Sequence, residues 1–308
     1  MCKKKVIEIS CLEEFIKVIH SIRTKDNDEY FYRGQSNENY KLIPSICHRI
    51  NDNTDKTYLS LESTLIKEAL FKYPNAFGKY DSHIDLLTQL QHYGIPTRLM
   101  DVTANPLVAL YFACVSNNDK NGEVFAFRMA PEDTFDNEAI EALASVGYLN
   151  AFYNVKFIKH LKECGVELKL SPNTHTSNYE GIIVNSQFPI LLRQKSSFER
   201  QKAQSGYYLL FSNDLEYIDS PEFSDFKDSD IESYFEGYYF TDIIKPIDKN
   251  DERVDIIKVV ASSKAYIVSQ LKALNIDEAT LFPEDIDRGC RVIVNDISHK
   301  YLNLIGES

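Results

Sequence analysis

Residues 91–114 have the sequence QHYGIPTRLMDVTANPLVALYFAC, and this stretch decides the fold. Asn105 and Pro106 predict the start of a helix, because proline fits the first helical turn, where its missing N–H would have no partner in any case. Residues 107–114 are apolar on every side of that helix, a pattern typical of a helix buried on all faces. The polar segment before it is therefore expected at the edge of the core and not in a mobile surface loop.

The rest of the chain predicts helices and strands in an irregular order. Apolar spacing at helical intervals predicts helices, and dense aromatic or β-branched runs predict strands. The predicted helices cover residues 10–19, 60–73, 82–92, 262–274 and 285–304, with a weakly patterned helical region at 132–170. The predicted strands cover residues 30–35, 123–127, 207–211 and 256–260, and shorter apolar runs lie at 181–184 and 189–192. This mixture predicts an α+β fold in a single domain over residues 1–308, with an acidic loop region at 212–236.

The composition excludes several classes of protein. The chain has 308 residues, with 34 Lys+Arg against 46 Asp+Glu and a formal net charge of −12. A hydrophobic fraction of 44% is that of a globular protein and not of a disordered one. Binding to a nucleic-acid backbone through bulk charge is not expected, because that interaction requires clustered Lys and Arg, which only a local basic groove could supply here.

Cysteine usage and apolar runs predict where the protein works. The 6 cysteines stand singly, without a C-x-x-C pair, which favours a reducing compartment. The basic start of the chain is not followed by an apolar run of the secretory type. The sequence also contains no run of roughly 18 apolar residues that would predict a membrane span. We therefore expect a cytoplasmic protein that does not contact a membrane.

The first candidate for a functional site is Tyr32-Arg33-Gly34, at the end of a predicted aromatic strand. An arginine at this position can bind a phosphate or a carboxylate through two hydrogen bonds and cannot lose its charge. Gly34 would allow a ligand to approach the backbone closely. The alternative is that Arg33 pairs with a carboxylate of the fold itself.

The second candidate is residues 91–103, where several hydrogen-bond donors surround the carboxylate of Asp101. These donors are His92, Thr97, Arg98 and Thr103. Polar groups between two apolar helices must be satisfied, either by one another or by a ligand. The alternative to a ligand site is a structural network in which Arg98 pairs with Asp101. His92 has no partner at metal-ligand spacing, so no metal site is expected.

The third candidate is residues 198–206, before a predicted strand. Glu199 is a carboxylate that can stabilise a developing positive charge, and Gln204 is a neutral hydrogen-bonding group. The alternative here is a cluster of surface ion pairs without a functional role.

Taken together, the three segments resemble the FRG domain family, named for a Phe-Arg-Gly tripeptide that stands here as Tyr32-Arg33-Gly34. The family's His-x-Gly-x-Pro-Thr-Arg-Leu-x-Asp-x-Thr run is matched by His92, Gly94, Pro96, Thr97, Arg98, Leu99, Asp101 and Thr103. Further matches are Asn105-Pro106, residues 109–113, Arg200, Gln204-Ser205-Gly206 and residues 281–287. The resemblance extends roughly from Val6 to Leu304, and its most family-like segment is residues 28–115.

A second resemblance, of arrangement only, is to ADP-ribosyltransferases. Those enzymes place an Arg or His at the end of an early strand, a polar strand before an Ala-rich helix, and a Glu or Gln near a late strand. Arg33, the 97–103 strand and the 199–204 segment occur here in that order, although no Glu-x-Glu or Gln-x-Glu pair stands before the late strand. The resemblance implies an ADP-ribosyltransferase-like core with NAD as the substrate.

The same resemblance implies roles for individual residues. The residues implied to be catalytic are Arg33, His92, Arg98, Asp101, Glu199 and Gln204. The residues implied to bind the nucleotide are Tyr32, Gly34, Gln35, Tyr93, Thr97 and Thr103. In this scheme Arg33 clamps the pyrophosphate, Tyr32 or Tyr93 stacks on the nicotinamide, and Glu199 or Gln204 holds a ribose hydroxyl while positive charge develops. His92, Arg98 and Asp101 orient the substrate or act as acid and base.

Three functions follow from the sequence as alternatives. The first is an enzyme that cleaves NAD and transfers ADP-ribose to protein, nucleic acid or water, with the acceptor left open. The second is a nucleotide-sensing or protein-interaction module that keeps the cleft but performs no chemistry. The third is a hydrolase or nuclease that uses His92 and Asp101, against which the acidic charge counts. The FRG resemblance also implies a role in conflict between bacteria and phages.

Overall fold

A computed structural model of the chain describes residues 6–23, 29–51, 55–129, 137–149, 155–164, 188–192, 198–217 and 238–283. The strands are β1 (Ile7–Ile9), β2 (Glu29–Gln35), β3 (Leu99–Thr103), β4 (Gly122–Met129), β5 (Val155–Lys156), β6 (Ile190–Leu192), β7 (Gly206–Leu210), β8 (Leu215–Tyr217), β9 (Tyr238–Phe240) and β10 (Val254–Val259). The helices are α1 (Leu12–Arg23), α2 (Glu62–Lys72), α3 (Pro74–Phe77), α4 (His83–His92), α5 (Pro106–Cys114), α6 (Asn137–Ser145), α7 (Phe157–Glu163), α8 (Glu199–Ala203), α9 (Lys264–Ala273) and α10 (Glu278–Leu281).

Most predicted elements are confirmed with small shifts at their ends. The helices predicted at 10–19, 60–73, 82–92 and 262–274 correspond to α1, α2, α4 and α9. The weakly patterned region at 132–170 contains α6, β5 and α7 within its described parts. The helix predicted at 285–304, the apolar run at 181–184 and most of the acidic region 212–236 lie outside the described residues. Within the described ranges, no helix has the length and apolar character needed to cross a bilayer.

The sheet topology confirms the α+β class. Among the described residues, seven strands form one sheet in the order β1-β10-β4-β2-β3-β7-β6. All neighbours in this sheet are antiparallel except β1 and β10, which are parallel. A smaller sheet has the order β5-β9-β8. A mostly antiparallel sheet with interspersed helices is the α+β arrangement that the irregular element order predicts.

Helix α5 lies directly on the backbone of the large sheet. Its predicted burial is confirmed, since Ala109 and Ala113 are fully buried. A β-carbon at Gly34 of β2 would overlap the carbonyl oxygen of Ala109, and a β-carbon at Gly122 of β4 would overlap that of Ala113. The helix backbone can approach the sheet this closely because neither side of the contact carries a large side chain.

The two faces of the sheet contribute to separate cores. Along β2, Tyr30 and Tyr32 pack with α1, α5 and α9 on one face. Phe31 packs on the opposite face, in the core that contains Met100 and Val102 of β3. This alternation is the one expected along a strand. It places α5 and the core around it on the same face as the side chains of alternate β3 residues.

We predict that Gly34→Ala lowers the free energy of unfolding by about 3 kcal/mol or more, because the added methyl group meets backbone atoms that cannot move aside. Gly94→Ala is the matched control, since no atom lies within 4 Å of a β-carbon at Gly94. Gly94 has a φ of 83°, so this control carries only a conformational cost of about 1 kcal/mol. Denaturant unfolding of both variants measures the difference, and equal effects would contradict the close approach of α5.

Candidate functional site

A cleft of about 260 Å³ lies beside α5, where β2, β3, β7 and α8 meet. Its lining comes from residues 32–34, residues 91–92, residues 101–103 and parts of 198–208, together with one side of α5. The three segments singled out in the sequence therefore converge on one cleft.

Strand β3 carries the polar floor of this cleft. Antiparallel pairing places Asp101 opposite Tyr208 of β7, and Thr103 opposite Gly206. Leu99 lies two residues before Asp101 on the same face and packs in the core that contains Leu210. Asp101 itself is exposed. The Asp101 carboxylate therefore lies between two apolar regions of one sheet face, at a position that the helices do not cover.

Arg33 closes the cleft on the β2 side. Strands β2 and β3 pair only at Tyr32 and Thr103, and continued pairing would have placed Gly34 opposite Asp101. Instead, Arg33 Nη1 donates a hydrogen bond of 2.7 Å to the main-chain carbonyl of Asp101. Burial lowers the pKa of the Arg33 guanidinium, and the negative charge of Asp101 opposes that change. Because an arginine titrates so far above neutral pH, it remains a fixed cation at the cleft.

The side chain of Asp101 is held from α4. Gln91 Nε2 donates a hydrogen bond of 3.1 Å to Asp101 Oδ2. Asp101 supplies the only carboxylate among the cleft-lining residues that the structure describes. Burial raises the pKa of the neighbouring Tyr208 hydroxyl, and the negative charge of Asp101 adds to this effect. Tyr208 therefore stays a neutral phenol beside the carboxylate.

Helix α8 and the C-terminal turn form the opposite wall. Arg200 lines the cleft, and its guanidinium carbon lies 4.8 Å from the ring centroid of Phe282. Gln204 also lines the cleft, and its Nε2 donates a hydrogen bond of 3.0 Å to the carbonyl of Leu281. These contacts hold a cation at the cleft and tie α8 to the turn that follows α10.

Aromatic rings line the cleft beside α4. The rings of His92 and Phe198 are stacked, with centroids 3.9 Å apart and an interplanar angle of 8°. Both residues line the cleft. Tyr93 contacts the His92 ring edge-on at 5.0 Å but is itself 62% exposed and does not line the cleft.

Arg98 lies outside the cleft, in the protein interior. Its guanidinium is 0% exposed and makes two hydrogen bonds to the carboxylate of Glu62, at 2.8 and 2.5 Å. A third hydrogen bond, of 3.0 Å, goes to Asn213 Oδ1. Arg98 therefore pairs with Glu62 and not with Asp101, the partner considered from the sequence. Its saturated, buried position is that of a structural residue and not of one that touches substrate.

Several residues implied to bind or act on a nucleotide are buried or lie outside the cleft. Tyr32 borders the cleft but is 0% exposed within the α5 core, so its ring cannot stack on a ligand. Gln35 is buried and donates to the carbonyl of Lys41. Glu199 is exposed, forms an ion pair of 2.6 Å with Lys202 and does not line the cleft.

Three further residues have structural contacts that explain their positions. Thr97 is buried, and its Oγ1 donates a hydrogen bond of 2.5 Å to Gln91 Oε1. Gly34 lies against α5, so the close approach that a glycine permits here is by the helix. Thr103 lines the cleft and donates through Oγ1 to the carbonyl of Gln204 at 2.6 Å.

Several cleft residues have no role in the expectations from sequence. Among them are Gln91, Phe198, Arg200 and Tyr208. Arg200 could have been identified from the sequence, because it is a cation within the third candidate segment. Tyr208 could not, because its place beside Asp101 follows only from the register of β3 and β7.

Comparison with known families agrees with the FRG resemblance drawn from the sequence. Residues 28–122 match the family model described as the FRG domain, which confirms the resemblance over this segment. No curated protein and no solved structure matches the chain. The matched segment supplies Arg33, Gln91, His92 and Asp101, whereas the wall with Arg200 comes from residues beyond it.

The buried Arg98–Glu62 pair gives a stability prediction. We expect Arg98→Met to lower the free energy of unfolding by about 3–5 kcal/mol, because it leaves the Glu62 carboxylate buried without its partner. The double variant Arg98→Met/Glu62→Met should recover much of that loss, since neither charge then remains. Thermal unfolding of the three proteins measures the recovery. A double variant less stable than Arg98→Met alone would contradict the structural role.

Proposed function

We propose that the cleft binds NAD and that the protein cleaves the bond between nicotinamide and ribose, transferring ADP-ribose to water or to another acceptor. The observation that carries the proposal is the charge of the cleft. Among the described residues, two arginines and one carboxylate line it, in a chain whose formal net charge is −12. A cleft with an excess of positive charge in an acidic protein favours an anionic ligand.

Arg33 and Arg200 support binding of a pyrophosphate. Neither forms an ion pair with a carboxylate within the described part of the chain. Arg33 Nε is buried and has no hydrogen-bond partner among the described residues. Buried donors are normally satisfied, so an unpaired N–H on a residue that lines the cleft supports a ligand contact at Arg33. Guanidinium groups suit phosphate oxygens because they offer paired N–H groups in one plane.

Asp101 replaces Glu199 as the carboxylate of the proposed reaction. When the bond between C1′ and the nicotinamide nitrogen breaks, its electron pair leaves with the nitrogen and neutral nicotinamide departs. The ribose carbon becomes an oxocarbenium cation, as in glycoside hydrolysis. A carboxylate already in place beside the cleft stabilises that cation. Glu199 is unsuited to this role because it does not line the cleft.

The second half of the reaction adds a nucleophile to C1′. Water or an acceptor group donates an electron pair to the cation and loses a proton. With water the products are ADP-ribose, nicotinamide and one proton. His92 and Asp101 line the cleft and are the side chains suited to receive that proton.

Nicotinamide release tests the proposal. Purified protein incubated with NAD should release nicotinamide, measured by chromatography. Asp101→Asn keeps the size of the side chain and removes its charge, so we expect it to lower the rate by about 100-fold to 1000-fold. Asp119→Asn is the matched control, because Asp119 is exposed and its side chain pairs with Lys120 away from the cleft. Loss of release in Glu199→Gln but not in Asp101→Asn would return the role to Glu199 and contradict this assignment.

The second candidate function is nucleotide binding without chemistry. The position of Glu199 favours it, because the carboxylate that the transferase resemblance implies lies outside the cleft. Calorimetry with ADP-ribose separates the two functions. Binding that Arg200→Ala weakens, together with no nicotinamide release from NAD, would establish the binding module. The cytoplasmic location and the role in conflict between bacteria and phages belong to the same proposal and rest on the sequence and the family resemblance.

A further inference from the structure

We infer that Gln91 is a positioning residue for the Asp101 carboxylate and that the buried Thr97 sets the orientation of Gln91. The inference rests on the proposed function for its meaning, since Asp101 is the carboxylate of the proposed reaction. It concerns residues to which neither the resemblance nor the family match assigns this role.

The first step is the direction of the Gln91 amide. Thr97 Oγ1 donates a hydrogen bond to Gln91 Oε1, with an oxygen-to-oxygen distance of 2.5 Å. Because the amide oxygen is the acceptor of this bond, the amide nitrogen occupies the other end of the group. Gln91 Nε2 then donates to Asp101 Oδ2 at 3.1 Å. The hydroxyl of Thr97 thus decides which end of Gln91 meets the carboxylate.

The second step is that Thr97 is itself fixed. It is 1% exposed, and its main-chain N–H donates to Ser45 Oγ at 3.2 Å. Its Oγ1 also accepts a hydrogen bond of 3.2 Å from the main-chain N–H of Leu99, the first residue of β3. The Thr97 hydroxyl is held by the first residue of β3. It therefore orients the Gln91 side chain, which reaches Asp101 in the same strand.

The third step concerns what remains available on Asp101. Its main-chain carbonyl is held by Arg33 and its Oδ2 by Gln91. Within the described part of the chain, Oδ1 accepts no hydrogen bond. Fixing the backbone and one carboxylate oxygen leaves the other oxygen to meet a ribose hydroxyl or the developing cation. Groups that orient a reacting residue in this way have large effects without touching the substrate.

Kinetics of four variants test the inference. We expect Gln91→Leu to lower kcat for nicotinamide release by about 10-fold to 100-fold, with a smaller change in KM, because the carboxylate is misplaced when charge develops. Thr97→Val should give a similar loss, and Thr97→Ser, which keeps the hydroxyl, should restore kcat. The double variant Gln91→Leu/Thr97→Val should be no slower than Gln91→Leu alone, because both changes break one chain of hydrogen bonds.

Two matched controls remove general effects of packing. Gln89→Leu makes the same change one half-turn earlier on α4, where Gln89 Nε2 meets the carbonyl of Lys79 at 3.5 Å. Thr88→Val makes the same change at a buried threonine whose hydroxyl bonds the carbonyl of Asp85. Neither control should lower kcat as Gln91→Leu or Thr97→Val does. A control with the same loss, full activity of Thr97→Val, or losses that multiply in the double variant would overturn the inference.

A spectroscopic measurement separates this inference from the proposed function. The side-chain amide of Gln91 gives an NMR signal whose chemical shift depends on its hydrogen bonds. Asp101→Asn and Thr97→Val should each shift that signal, and Asp119→Asn should not. This outcome supports the Thr97–Gln91–Asp101 chain even when wild-type protein releases no nicotinamide, a result that would overturn only the proposed function. An unshifted Gln91 signal in Asp101→Asn would overturn the inference whatever the activity.

Discussion

The contact between the α5 backbone and the sheet is the constraint on which the rest of the structure depends. Gly34 and Gly122 allow Ala109 and Ala113 to lie against β2 and β4 without intervening side chains. Hydrophobic burial holds the helix there, because all its faces are apolar. Its start is fixed in turn by Asn105, whose side chain accepts a hydrogen bond from the second helical residue at 3.0 Å. The end of β3, a few residues earlier, therefore has little freedom.

Thr103 connects the end of β3 to the cleft. Its hydroxyl donates to the carbonyl of Gln204 and accepts a hydrogen bond of 3.0 Å from the N–H of Asn105. One side chain thus links the end of β3, the start of α5 and the end of α8. Gln204 continues the link to Leu281 near the end of the described chain. The family-matched segment of residues 28–122 and the later residues hence share a single cleft.

Three arginines show how environment decides the use of one residue type. Arg98 is surrounded by partners in the interior and joins Glu62 of α2 to Asn213. Arg33 has one main-chain acceptor and a buried Nε without a partner in the described residues. Arg200 rests on the ring of Phe282 at the cleft. The proposed anion site uses the last two, because a guanidinium already saturated by protein groups has nothing left to offer a ligand.

The sequence by itself determined the α+β class, the buried helix after residue 105 and the three polar segments that line one cleft. These followed from local patterns, because apolar periodicity and special turn residues act over a few neighbouring positions. Only the tertiary structure decided which polar residues face the cleft. Arg98 and Asp101 stand three residues apart, yet one is buried against Glu62 and the other is exposed beside Tyr208. The reason is physical: the direction of a side chain on a strand alternates with each residue, whereas its partner comes from a distant segment whose register no local pattern contains.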